Sequence, residues 1–170
     1  VTGVQTCALP IFGAPVSGAH FNPAVTLANV LLRKIPISIA VQYFLSQICG
    51  SALGVIIANA MFNSTIIGNS SISRTGMGLF IAEIVATTGL VYLALTSTEK
   101  SVWKLIPLWI FSAYFFTSST SFANPAVTIS RVFTDSPAGI SNSSVPAFLL
   151  AHILGAFLAL GFITLEKKNV

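Results

Sequence analysis

Long apolar stretches separated by short polar segments dominate the chain. Four of them, at residues 37–60, 78–95, 105–117 and 145–165, consist mostly of apolar side chains. A helix needs about 20 such residues to cross the hydrocarbon core of a bilayer. The pattern therefore predicts an all-α membrane protein with about four full spans, of which the third is the shortest and continues into Ser and Thr residues.

Two shorter apolar segments, at residues 24–32 and 126–133, break this pattern. A helix of about nine or ten residues rises about 14–15 Å, which is half of a hydrocarbon core of about 30 Å. Each segment is therefore predicted to be a half-membrane helix, one that enters the bilayer and ends near its middle.

The same pentapeptide, Asn-Pro-Ala-Val-Thr, occurs at residues 22–26 and again at residues 124–128. A five-residue identity is improbable by chance in 170 residues, so the two copies indicate a duplicated unit. A weaker echo supports this interpretation, because Gln47-Ile-Cys-Gly in the first full span resembles His152-Ile-Leu-Gly in the last.

Basic residues give the two copies opposite directions. Six of them fall on one side of the membrane if the first full span runs outwards, and the positive-inside rule makes that side the cytoplasm. They are Arg33, Lys34, Lys100, Lys104, Lys167 and Lys168. The two half-helices then enter from opposite faces, which is an inverted repeat, a known way to build a site at the membrane midplane.

Composition excludes several classes of protein. The chain is 54% hydrophobic and 7% charged, whereas soluble domains carry roughly 25% charged residues. Its net charge of +4 is scattered, so a nucleic acid partner is not expected. Cys7 and Cys49 show neither metal-site spacing nor a disulfide framework, and no metal or cofactor is predicted.

The repeated motif suits the start of a helix inside a membrane. Asn22 and Asn124 are predicted N-caps, and Pro23 and Pro125 occupy the first helical position, where a missing N–H costs nothing. The positive ends of two helix dipoles would then face each other and repel cations but not neutral molecules. Asn donors and the free carbonyls of the preceding loops could replace the hydrogen bonds of a dehydrating solute.

Residues 17–26 and 121–126 resemble the two signature loops of the aquaporin, or major intrinsic protein, family, and the similarity runs from about residue 12 to the C terminus. The resemblance implies six spanning helices, two half-helices, one pore per subunit and a homotetramer in the plasma membrane, here expected to be a bacterial inner membrane. It assigns the pore to Asn22, Pro23, Ala24, Asn124, Pro125 and Ala126, and to the carbonyls of Gly18, Ala19, His20, Thr120, Ser121 and Phe122.

The beginning of the chain departs from the family pattern, which places about two spans before the first signature loop. The residues that precede this loop are too polar and irregular to form these spans. We therefore expect the first helix and most of the second to be missing. Residues 1–11 are interpreted as an atypical segment that could be unrelated to the family, and residues 12–170 as a partial aquaporin-like channel domain.

Glu83 is the one carboxylate inside a predicted full span. A charge at that depth is costly and usually functional. The family places a Glu in this helix that braces the second signature loop by hydrogen bonding, so the resemblance implies that Glu83 is a loop anchor.

The selectivity filter also departs from the family. Many water-selective members carry Arg directly after the second Asn-Pro-Ala, whereas this chain has Val127. Ser112 and Ser121 take two further filter positions by the resemblance, and both are small. Arg131 lies one turn further along and need not point into the same narrow zone. The filter is therefore predicted to be wide and uncharged, passing glycerol, urea or metalloid hydroxides besides water.

A passive channel for water and small uncharged solutes is the leading interpretation. A secondary transporter also uses inverted repeats, but it needs titratable groups in the membrane, and Glu83 alone is available. A third alternative is a non-functional channel fragment. An enzyme is not expected, because the chain shows no nucleophile–base pair, metal cluster or phosphate loop.

Overall fold

A computed structural model of the chain describes residues 20–168, and these form helices joined by loops without any strand. Six α-helices follow one another along this described part of the chain, with short 3₁₀ turns at Arg131–Phe133 and Asn142–Ser144. The helices are α1 (Pro23–Leu31), α2 (Ile37–Met61), α3 (Met77–Thr96), α4 (Glu99–Phe116), α5 (Pro125–Ser130) and α6 (Val145–Lys168).

Three helices, α2, α3 and α6, are long and apolar enough to cross a membrane. They correspond to three of the four predicted spans. The fourth, α4, has 18 residues, begins with the charged residues Glu99 and Lys100 and carries Lys104 one turn later. These charges lower its mean hydropathy, so its crossing of the bilayer stays a prediction.

The two short helices begin where the sequence predicts. Pro23 and Pro125 occupy the first turns of α1 and α5, and Asn22 and Asn124 cap them in extended backbone conformation. The nine residues of α1 rise about 14 Å. The second half-helix is shorter than expected. Helix α5 ends after six residues, and the chain continues as the 3₁₀ turn Arg131–Phe133.

The closest helix packing joins α3 to α6, and small residues make it possible. A Cβ atom at Gly155 would lie 2.8 Å from Cβ of Thr87 and 2.9 Å from the backbone oxygen of Ile84. Thr88 Oγ1 donates to the Ile84 carbonyl at 2.7 Å and lies 3.2 Å from the Gly155 carbonyl. Without a hydrophobic drive between helices in lipid, such close backbone approach and hydrogen bonding hold them together.

Helix α4 is fixed to α3 by one aromatic side chain. Trp109 Nε1 donates to the Ala86 carbonyl at 2.8 Å, and its ring lies directly on Gly89, where a Cβ atom would collide with it. In contrast, α2 buries few of its side chains, among them Gln47 and Asn59. Its remaining surface is mainly apolar, as expected of a helix whose surroundings are hydrocarbon.

We expect Gly155→Ala to destabilise the protein by about 1–3 kcal/mol, because the added methyl group meets a backbone oxygen that cannot move without shifting α3. Thermal unfolding in detergent measures the change. Gly161→Ala on the same helix is the control, since a Cβ atom there meets nothing within 4 Å. Equal melting temperatures for the two variants would contradict the close packing of α3 and α6.

Candidate functional site

The two half-helices meet at their N-termini through two reciprocal hydrogen bonds. Asn22 Nδ2 donates to the Ala123 carbonyl at 2.7 Å, and Asn124 Nδ2 donates to the Phe21 carbonyl at 3.0 Å. Each asparagine therefore binds the residue that immediately precedes the other asparagine. Residues about a hundred positions apart in the chain are joined in this way into one approximately symmetric centre.

The same asparagines cap their own helices. Asn22 Oδ1 accepts the backbone N–H of Ala24, and Asn124 Oδ1 accepts that of Ala126, both at 2.9 Å. Only the oxygen of an Asn side chain can accept an N–H group, because the nitrogen of the side chain is a donor. These caps therefore fix the positions of Oδ1 and Nδ2 in both asparagines. Each NH2 group keeps a second hydrogen that binds no acceptor within residues 20–168, and this hydrogen can be donated to an oxygen atom of a solute.

A buried carboxylate holds the second loop from behind. Glu83 is fully buried, and its two oxygens accept the backbone N–H groups of Phe122 at 2.8 Å and Ala123 at 2.7 Å. His152 Nε2 lies 2.8 Å from the second oxygen. Three partners thus surround a charge that would be very unfavourable alone at this depth.

The anchored loop has an unusual backbone conformation and carbonyls without partners among the described residues. Thr120, Ser121 and Ala123 have positive φ angles of 62°, 49° and 47°, which are uncommon for residues other than glycine. The carbonyls of Thr120, Ser121 and Phe122 accept no hydrogen bond from any described residue. Oxygens in this state are suited to replace water around a passing solute.

A glutamine takes the corresponding place at the first loop. Gln47 Nε2 donates to the His20 carbonyl and also to Thr26 Oγ1 at 2.9 Å. Gln47 and His152 occupy equivalent places in the matching Gln-Ile-Cys-Gly and His-Ile-Leu-Gly stretches, and each supports one signature loop. The sequence contained this signal, but it did not indicate which group each residue would bind. Gly18 and Ala19, the other residues of this loop whose carbonyls are predicted to line the pore, lie outside the described residues.

The proposed filter residues occupy three different elements. Ser121 is buried in the second loop, and its Oγ has no partner within the described part of the chain. Val127 lies on the first turn of α5, where its N–H approaches Asn124 Oδ1 at 3.4 Å. Ser112 lies on α4, and no described hydrogen bond joins it to the other two. Their joint role as a filter stays a prediction.

Two arginines lie against one aromatic ring of this loop. The guanidinium carbons of Arg131 and Arg74 are 4.2 Å and 4.9 Å from the centroid of the Phe122 ring. Arg74 belongs to the loop between α2 and α3. This cluster was not predicted from the sequence, because a ring and two cations are brought together from three separate segments.

Comparison with known proteins now connects this geometry to a family. The family model "Major intrinsic protein" matches residues 1–123 of the chain. The chain is 39% identical over 162 residues to "Aquaglyceroporin AqpS" of Rhizobium meliloti, an alignment that covers 94% of this chain and 70% of that protein. The chain belongs to the major intrinsic protein family.

More distant members of the family match as well. "Aquaporin NIP6-1" of Arabidopsis thaliana is 28% identical over 159 residues, and "Aquaporin-1" of Rattus norvegicus is 36% identical over 91 residues. The chain spans 52% of the plant protein and 34% of the rat protein. The predicted family and the all-helical membrane fold are confirmed. Members of this family are channels rather than enzymes, which agrees with the sequence. The division into residues 1–11 and 12–170 stays a prediction.

Replacing Glu83 by Gln should destabilise this major intrinsic protein by about 1.5–3 kcal/mol, the range for a lost hydrogen bond to a charged group. The new NH2 group would face a loop N–H and leave it without an acceptor. Thermal unfolding in detergent measures the effect. Glu166→Gln is the matched control, because the Glu166 carboxylate is exposed near the end of α6 and accepts a hydrogen bond from the Tyr92 hydroxyl of α3. If both variants unfolded at the wild-type temperature, Glu83 would not be the anchor of the second loop.

Proposed function

We propose that the protein is a passive transmembrane channel for water and small neutral solutes. The observation that carries this proposal is the pair of reciprocal hydrogen bonds from Asn22 to the Ala123 carbonyl and from Asn124 to the Phe21 carbonyl, which brings the two half-helix tips together. Each of the two asparagines retains an amide hydrogen that binds no acceptor within residues 20–168. A site made of amide donors and carbonyls without partners suits passage rather than chemistry.

The mechanism follows from the groups on the path. A solute that enters must give up part of its hydration, and the carbonyls of Thr120, Ser121 and Phe122 offer acceptors in its place. The amide hydrogens of Asn22 and Asn124 then donate to its oxygen atoms. The positive end of each helix dipole raises the energy of a cation at this point, while an uncharged molecule is not repelled.

Val127 supports a wider range of solutes than water alone. It stands where many water-selective members of the family carry Arg, so a large charged side chain is replaced by a small apolar one. The relative with 39% identity is named an aquaglyceroporin, which favours the same interpretation. We infer that glycerol, urea and metalloid hydroxides are candidate solutes of this channel.

Assembly and location follow from the family in the same way. We infer a homotetramer in a plasma membrane, and the rhizobial relative favours a bacterial inner membrane. The exposed apolar side chains of α2, among them Ile37, Leu45, Leu53 and Ile57, would then be covered by lipid or by other helices of the assembly.

The proposed function predicts water flux that does not depend on ions. Proteoliposomes containing the full chain should shrink faster than empty vesicles in stopped-flow light scattering, with and without a proton or sodium gradient. A secondary transporter would need the gradient for solute uptake. Flux that disappears when the gradient is removed would contradict a channel, and shrinkage no faster than that of empty vesicles would contradict transport altogether.

Val127→Arg should suppress the flux of glycerol and urea by about tenfold or more, the lower range for adding one group to a binding pocket. Water flux should fall less, because water still passes a narrower opening. Stopped-flow swelling with each solute gives both rates. Val127→Leu adds volume without charge and serves as the control. Equal loss of water and solute flux in Val127→Arg would mean that Val127 does not set the solute range.

A further inference from the structure

Arg131 is a charged residue close to the proposed path, and the proposed mechanism gives it no role. Asn124, Val127 and Arg131 follow one another at positions i, i+3 and i+7, so they lie along one stripe of α5 and the residue that ends it. All three are partly exposed. The opposite side of the helix is buried and carries Ala126, Thr128 and Ser130.

The guanidinium of Arg131 is directed back towards the second loop. Side chains on a helix lean towards its N-terminus, and here the guanidinium carbon lies 4.2 Å from the centre of the Phe122 ring. This ring is a fixed support, because Phe122 is only 4% exposed and its backbone N–H is held by Glu83. The charge of Arg131 is therefore held beside the residue that follows Ser121 in the proposed filter.

Arg131 retains its capacity to bind oxygen atoms. A guanidinium has five N–H donors, and none of those on Arg131 meets an acceptor among the described residues. Arg74 lies on the same ring, so the two guanidinium carbons are at most about 9 Å apart. However, the donors of Arg74 are occupied by carbonyl oxygens of the surrounding loops, those of Gly139, Pro137 and Ser119.

Among the carboxylates whose contacts the structure describes, none touches Arg131. The ion pair found within residues 20–168 joins Glu83 to His152, and the Glu83 oxygens are taken by that histidine and by two backbone N–H groups. Asp135 is held by Ser71, whose backbone N–H and hydroxyl lie 3.0 Å and 2.9 Å from Oδ1. Arg131 is therefore a cation with unoccupied donors among the described residues, and it lies on the same stripe as Val127.

We propose that Arg131 is a specificity-determining residue of the channel, which binds the carbonyl or hydroxyl oxygens of small neutral solutes and excludes cations. Its backbone lies one helical turn beyond Val127, and its guanidinium reaches back to the ring of Phe122, beside the proposed filter residue Ser121. This differs from the uncharged filter that the sequence alone indicated. The inference rests on the proposed function, because it needs a path on which Arg131 lies.

Urea and guanidinium test this assignment, since they have nearly the same size and planar shape and differ in charge. Proteoliposomes containing the full chain should take up urea and exclude guanidinium in a swelling assay. Arg131→Gln should raise guanidinium uptake by about tenfold or more, because a nearby like charge no longer repels it. Urea uptake should fall by less than that factor, which also shows that the variant is folded.

Two further variants separate charge from a general effect on structure. Arg131→Lys keeps the charge and should keep guanidinium excluded, although a single ammonium binds solute oxygens with less geometric precision. Lys104→Gln removes a cation that also lies over a ring, 4.8 Å from Trp103, but on the exposed side of α4, and should change nothing.

The outcomes distinguish the two proposals. If the wild-type protein takes up urea but Arg131→Gln still excludes guanidinium, or if Arg131→Lys admits it, the assignment to Arg131 is overturned while the channel stands. The same holds if the wild type admits both solutes equally. If the wild type takes up neither urea nor water, the proposed function fails and the assignment fails with it.

Discussion

The rest of the structure depends on the pair of hydrogen bonds that joins Asn22 to the Ala123 carbonyl and Asn124 to the Phe21 carbonyl. A helix that begins inside a bilayer leaves backbone groups that lipid cannot satisfy. Here the asparagine at the tip of each half-helix donates to a backbone carbonyl at the tip of the other. Each tip therefore depends on its counterpart for a hydrogen-bond partner. The duplication is therefore a physical requirement of the centre, since one half-helix alone would expose polar backbone to hydrocarbon.

The two halves reach this common centre by different means. The second loop is held by Glu83, which accepts two backbone N–H groups of the loop and is itself bound by His152, whereas the first loop is held by Gln47, which donates to the His20 carbonyl. The helices that carry these groups also differ, because Gly155 is packed against α3 while nothing lies within 4 Å of a Cβ atom at Gly50. Approximate symmetry thus concerns the tips, and the supports behind them are specific to each half.

Local pattern accounts for the parts of the structure that were predictable from sequence. The lengths of the apolar segments predicted the membrane spans. The Asn-Pro dipeptides predicted where α1 and α5 begin, because capping depends on neighbouring residues only. The contacts of Gln47 and the position of Arg131 over Phe122 were not predictable, since they join segments far apart in the chain. The early end of α5 at Ser130 was also missed, because an apolar pattern does not distinguish an α-turn from a 3₁₀ turn.

The strained second loop is held in place by groups on either side of it. Left-handed backbone at Thr120, Ser121 and Ala123 costs of order 1–3 kcal/mol at each residue and persists only where the surroundings determine it. Glu83 supplies two charged hydrogen bonds, each worth about 1.5–3 kcal/mol, from the interior side. Arg74 ties the outer side to the neighbouring loops. None of these supporting bonds involves the side chain of Val127, so in the proposed channel that side chain can be replaced while the conformation of the loop is kept.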